Sequence, residues 1–216
     1  MILGIYGAGG NGKLVADLAL YENEAESKWD KIIFVDDVVG VEEKYGLEVY
    51  TFSEVREKIK PQDIEMVISL GEPCDRELVF ERIKEAGYSL GQAISPDAYV
   101  TKDVKIGEGV IIFNCSVGSD VILGDNVFVS EGALIGHDIT IGPHGVIGAR
   151  AFVAGHCQLG EQVYIGPCAV LRDRIKIEDT AVVAIGAVVF KDVSGNSIAI
   201  GNPARSMKKE EGYRIF

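Results

Sequence analysis

Residues 127–166 read VFVSEGALIGHDITIGPHGVIGARAFVAGHCQLGEQVYIG. Val129, Ile135, Ile141, Ile147, Val153, Leu159 and Ile165 stand six apart, and the same aliphatic column extends unbroken from Ile111 to Val189. Side chains alternate on an extended strand, so an even spacing keeps the column on one face. On a helix, at about 100° per residue, six steps turn roughly 240° and scatter it. A second set two residues earlier, including Val127, Ala133, Ile139, Gly145, Ala151, Cys157 and Val163, is also apolar or small and shares the inward parity. The position after each column residue is usually small, as at Gly136, Gly142 and Gly148, which permits a bend. Short strands joined by bends with a fixed inward pattern describe a parallel β-helix of hexapeptide repeats. A β-sandwich would need irregularly spaced hairpin signals, and the repeat offers none. Upstream, Ile94, Val100 and Ile106 are also six apart, but Ile106 to Ile111 is five, so a register slip is expected there.

The first ninety residues alternate differently. ILGIYG, KIIFVDD and IEMVISL read as strands, and Gly10 to Tyr21, Ser53 to Ile59 and Cys74 to Ala86 as helices. That β-α-β-α-β-α order predicts a Rossmann-like parallel sheet with helices on its faces. The predicted domains are therefore 1–92 (α/β) and 93–216 (β). Between the first strand and helix, Gly7-Ala8-Gly9-Gly10-Asn11-Gly12 matches G-x-G-x-x-G, a pattern that lets backbone amides approach a phosphate. Asp36 and Asp37 end the second strand, where a carboxylate would meet a sugar hydroxyl or base edge. Three strands without a second half point to a mononucleotide-sized ligand rather than a dinucleotide.

Composition narrows the class. The net charge of −12 argues against a nucleic-acid partner, whose phosphates must be neutralised by Lys and Arg. Anionic ligands would need locally basic sites, for which Lys13, Arg150, Arg172, Arg174, Lys191 and Arg205 are candidates. No apolar run reaches about 18 residues and no signal peptide is evident, so a cytoplasmic location without a membrane span is expected. Cys74, Cys115, Cys157 and Cys168 fit no metal-finger or disulfide spacing, and Cys115 and Cys157 fall in the inward set as buried thiols. No metal site is expected.

Chemistry should come from residues that depart from the repeat. His137 follows Gly136 at a bend with Asp138 beside it. Histidine titrates nearest neutrality, and a carboxylate can fix its tautomer, so this pair is a candidate general base. His144 and His156 compete for that role, and surface or metal-ligand readings of the three histidines stay open.

Over nearly its whole length the chain resembles the NeuD/PglD-like sugar acyltransferases, through GAGGNGKLVADLA, FVDD, IGHDITIG, AGHCQLG and GNPAR. The resemblance implies a left-handed β-helix, a homotrimer with active sites between neighbouring β-helices, and acetyl-CoA as co-substrate with no permanently bound cofactor. By the same resemblance His137 is the general base, Asp138 orients it, and the Gly155 amide binds the thioester carbonyl. Gly7, Gly9, Gly12, Asp36 and Asp37, with Gly71 and Glu72 in the loop after the third strand, would bind a nucleotide sugar, UDP-linked by preference. Coenzyme A would run near Gly166, Ala184 and Gly186. Asn11 stands where many relatives carry histidine, and the family's second donor-site histidine falls at Val146, two residues past His144. The activity implied is N-acetylation of the 4-amino group of a nucleotide-linked amino-deoxy sugar. The alternatives are O-acetylation of sialic acid or another sugar, a non-catalytic nucleotide-sugar-binding scaffold, and a metal-dependent hydratase like the γ-class carbonic anhydrases.

Overall fold

The computed structural model describes residues 1–38, 40–210 and 212–216. The N-terminal part is a sheet of six strands: β1 (Ile2–Tyr6), β2 (Lys31–Val35), β3 (Glu43–Lys44), β4 (Leu47–Tyr50), β5 (Ile64–Ile68) and β6 (Ser89–Leu90), in the order β3-β4-β2-β1-β5-β6. All pairings are parallel except the β3–β4 hairpin. Three helices, α1 (Gly10–Glu26), α2 (Phe52–Lys58) and α3 (Pro73–Glu85), connect them. Thr51 and Glu54 start α2 with a reciprocal capping box. The predicted alternation is present, with β3, β4 and β6 added to the three strands read from the sequence. Their brevity and mixed polarity, as in LEVY, hid them from a periodicity argument.

From Ala93 onward the chain winds into a left-handed β-helix whose two-residue strands stack into three parallel sheets. Each coil takes eighteen residues, so that Leu134 pairs with Ser116 and Phe152, one coil to either side. The inward column and its companion set form one continuous buried core from Val110 to Ala199. Bends recur at a left-handed residue every sixth position, among them Asp120, Asn126, Asp138, His144, Arg150 and His156, with φ between 54° and 61°.

One expectation is corrected. Ile112, not Ile111, points into the core, because Ile112 pairs with Ile94 and Val129. The column therefore continues Ile94, Val100, Ile106, Ile112, and the five-residue step falls between Ile112 and Val117. Ile111 is also fully buried, but outward, against the N-terminal part. Two adjacent buried isoleucines look alike in sequence; only the second domain distinguishes them.

The three outer faces differ. The first presents Ile111, Phe128, Val146, Tyr164 and Val182, all buried in one hydrophobic cluster with Val15 and Ala19 of α1. The second presents Tyr99, Leu134, Phe152 and Val170, which stay exposed. The third carries Lys105, Thr140, Gln158 and Lys176. The N-terminal part thus sits on the first face and on the bend leading into it. Its polar anchor is Arg76 of α3, fully buried without an acidic partner. Arg76 donates to the carbonyls of Asn126 (2.6 Å), Leu70 (3.0 Å) and Ile68, and to Asn126 Oδ1 (2.6 Å). Burial pulls its pKa down to about 9.

Because the Asn126 oxygen is taken by Arg76, its Nδ2 is the group that donates, to the Arg76 carbonyl (3.1 Å) and to His144 Nδ1 (3.0 Å). His144 packs edge-on to Phe80 of α3 with 5.1 Å between ring centroids. Asn126→Ala leaves the guanidinium short of an acceptor in a site water cannot reach. We expect a loss of about 2–3 kcal/mol, the range for hydrogen bonds to a buried charge, measured by urea unfolding.

Candidate active site

His137 and Asp138 lie at the bend between the second and third faces. Asp138 adopts the left-handed conformation (φ 54°), which turns its carboxylate back toward the preceding imidazole, and His137 Nδ1 lies 2.7 Å from Asp138 Oδ2. An ionised carboxylate only accepts, so the imidazole proton sits on Nδ1 and the Nε2 lone pair is left to take another. The hydrogen bond from His137 holds the Asp138 pKa below the usual carboxylate value.

The next coil places Gly155 directly against this imidazole. A Cβ on Gly155 would stand 2.9 Å from both Cε1 and Nε2 of His137, so only glycine lets the base edge lie on the backbone. The Gly155 N–H makes no backbone hydrogen bond among the described residues, whereas the next amide, His156 N, donates to the His137 carbonyl at 2.9 Å. His156 also brings its own ring to the pair: its Nδ1 is 3.8 Å from Asp138 Oδ2, and the two imidazoles stand edge to face with centroids 5.0 Å apart. One coil further on, the same bend carries Arg172, Asp173 and Arg174, with the Arg174 N–H bonded to the Gly155 carbonyl at 3.0 Å.

His144 is elsewhere, buried at the interdomain bend, with its Nδ1 occupied by Asn126 and its pKa lowered by burial. It has no access to the His137 site. Cys115 and Cys157 are no better placed as nucleophiles. Burial pushes the Cys115 thiol up to about 12 and raises that of Cys157.

The glycine loop forms a second locus. Gly7 (φ 103°) and Gly12 serve packing: a Cβ on Gly12 would meet the Gly7 carbonyl at 2.2 Å. Gly9 faces open space at the N-terminus of α1, leaving that helix end approachable. Asp36 braces the loop through its Oδ2, which accepts from Ala8 N at 2.8 Å. Asp37 is held by Tyr6, Phe52 N and Arg82. Glu72 is buried and accepts from the backbone of Ile215 and Phe216, which folds the C-terminal segment across Gly71.

Beside the loop lies a cavity of about 380 Å³. Its walls are Asn11, Leu14 and Gly71 from the N-terminal part, Phe113, Phe128 and Tyr164 on the first face, and Glu131, Ala149 and Pro167 at the bend into the second face, with Phe216 across it. The aromatic walls and the C-terminal segment were not anticipated from the sequence, nor was His156 at the base. Gly166, Ala184 and Gly186 stack along that same bend. Within one chain, then, the cavity and His137 occupy different corners of the prism, separated by the exposed second face.

Residues 3–83 match the PglD N-terminal domain model, and residues 103–137 match the bacterial transferase hexapeptide model of six repeats. Among solved structures, the acetyltransferase domain of PglB from Neisseria gonorrhoeae is 27% identical with a TM-score of 0.89, covering 95% of this chain and 99% of that one. PerB from Caulobacter crescentus, solved with CoA and GDP-perosamine, is 25% identical with a TM-score of 0.87 over 96% of this chain and 97% of that one. WeeI from Acinetobacter baumannii is 27% identical with a TM-score of 0.87, covering 96% of this chain and all of that one. A candidate serine acetyltransferase of Schizosaccharomyces pombe is 32% identical over 102 residues, and this match spans 47% of the present chain and about a third (35%) of that protein. The PglD N-terminal domain followed by hexapeptide transferase repeats, on a fold shared with these structures, matches the NeuD/PglD-like family of hexapeptide-repeat sugar acyltransferases.

Proposed function

We propose that the protein transfers an acetyl group from acetyl-CoA to the 4-amino group of a nucleotide-linked amino-deoxy sugar, with His137 as general base. The observation that carries this reading is the His137–Asp138 pair lying on the Gly155 backbone. It combines a base with a free Nε2 and an uncommitted amide within one site, which is what direct acyl transfer requires. His137 takes the proton from the attacking nitrogen, the Gly155 N–H stabilises the oxyanion, and the thiolate of CoA departs. No acyl-enzyme is needed, and the thiols of Cys115 and Cys157 are buried and weakly acidic. The relatives support the donor and the acceptor class: one PglB structure contains acetyl coenzyme A, and PerB contains CoA and GDP-perosamine.

The same reading takes the protein as a homotrimer, which an exposed apolar surface supports. Leu134, Phe152 and Val170 form an apolar stripe on the second face, with 44%, 38% and 36% exposure. If three copies turn this face toward a common axis, the cavity-bearing bend of one protomer meets the His137-bearing bend of the next. The acceptor sugar, held at Gly9 and Gly71 in loops that Gly7, Gly12, Asp36, Asp37 and Glu72 shape, then reaches the neighbour's imidazole. CoA runs in the same cleft between Gly166, Ala184 and Gly186 of one copy and Arg172 and Arg174 of the other, whose charges suit its phosphates.

Three outcomes test this. His137→Ala should slow acetyl transfer by about 10²-fold or more, the usual share of a general base. The assay uses acetyl-CoA with a panel of UDP-, dTDP- and GDP-linked 4-amino sugars and a free sugar acid; transfer only to the sugar acid's hydroxyls would overturn N-acetylation. Gly155→Ala should leave the melting temperature within about a degree, since its φ suits alanine, yet lower kcat about 10-fold or more by displacing the His137 ring. Phe152→Arg should yield monomers on light scattering and abolish turnover, because it separates the cavity from the base.

A further inference from the structure

We propose that His156 is a second catalytic residue, the acid that protonates the departing thiolate of CoA; this rests on the acyl-transfer reading above. Three observations lead there. His137 Nδ1 is hydrogen-bonded to Asp138 Oδ2 at 2.7 Å and His156 Nδ1 faces the same oxygen at 3.8 Å, so one carboxylate stands beside both rings, and neither Nε2 is committed to a hydrogen bond among the described residues. His156 directly follows Gly155, the amide assigned to the thioester carbonyl, and the His137 ring packs against Gly155 from the preceding coil. Both imidazoles thus flank the proposed thioester site, edge to face with centroids 5.0 Å apart. Both are open to the cleft, with side-chain exposures of 59% for His137 and 38% for His156.

The chemistry has room for two groups. As the amine attacks the acetyl carbonyl, a C–N bond forms and the nitrogen proton passes to His137 Nε2. As the tetrahedral intermediate collapses, the C–S bond breaks and the sulfur keeps the electron pair, taking a proton from the His156 imidazolium to leave as free thiol. The pair ends with His137 protonated and His156 neutral, and exchange with solvent at these exposed rings restores the starting state. A single imidazole would have to carry its proton from nitrogen to sulfur within one turnover. Imidazole suits the second task as it suits the first, because it carries a proton near neutral pH and gives it up readily.

His156→Asn isolates the acid function. The residue has φ 61°, a conformation asparagine adopts readily, and the amide keeps a polar donor beside Asp138. The variant should fold normally and keep its KM for acetyl-CoA, while kcat falls about 10-fold or more. The discriminating donor is an acetyl thioester of a more acidic thiol, S-acetyl 5-thio-2-nitrobenzoate, which leaves without needing a proton: with it, variant and wild-type rates should converge. Equal deficits with both donors, or full activity with acetyl-CoA, overturn the assignment. His137→Ala, run alongside, should be impaired with either donor; its loss of activity reports on the acyl-transfer reading independently of His156.

Discussion

The parallel register of the β-helix governs everything else in this molecule. Along the strands, backbone N–H groups reach carbonyls one coil ahead, as Gly136 N does to the Val153 carbonyl at 2.9 Å and Ala154 N to that of Leu171 at 3.2 Å, while at the bends some reach back, so equivalent residues stack directly. Every side chain on a face or bend thus has neighbours eighteen residues away. His137 comes to rest on the Gly155 backbone for this reason. The same ladder allows aliphatic residues to fill the prism without voids, since each layer repeats the shape of the last. A rigid stack is a suitable support for a base and an amide whose relative placement must hold to a fraction of an ångström.

The N-terminal part attaches to this prism by two different forces. Apolar burial joins α1 to the first face, where Ile111, Phe128, Val146 and Tyr164 would otherwise meet water. Polar complementarity joins α3 to the adjoining bend through Arg76 and Asn126. The second is directional: it sets which way the Asn126 amide points, and through it the tautomer of His144. That explains why His144, so near His137 in sequence, is committed to the domain contact instead of the His137–Asp138 bend. The two histidines are separated by one bend of the helix, seven residues along the chain and a full prism edge in space.

Much of this was legible in the order of residues. The sixfold column predicted the β-helix, the strand–glycine–helix passage predicted the nucleotide-type loop, and the His137–Asp138 adjacency predicted a fixed imidazole. The outer faces carried a readable signal as well. Taking the residue just before each column position, every third repeat is apolar at Phe128, Val146, Tyr164 and Val182, another series is apolar at Leu134, Phe152 and Val170 after Ser116, and the remaining one is polar at Thr140, Gln158 and Lys176 after Ile122. An eighteen-residue period of that kind distinguishes a covered face, a bare one and a wet one. The β3–β4 hairpin and β6 escaped notice because strands of two to four residues have too few positions to display a period.

The sequence by itself determined the architecture, because hexapeptide spacing is local information: each bend and each inward side chain follows from a few adjacent residues. It also determined which residue types were available for proton transfer. Tertiary structure alone decided which of Ile111 and Ile112 faces inward, that His156 shares a carboxylate with His137 while His144 is locked against Asn126, and that the C-terminal Phe216 closes the cavity beside the glycine loop. Those facts depend on contacts between segments far apart in the chain. No period or propensity along the sequence encodes the distance between two side chains that only the completed coil, and the domain laid against it, bring together.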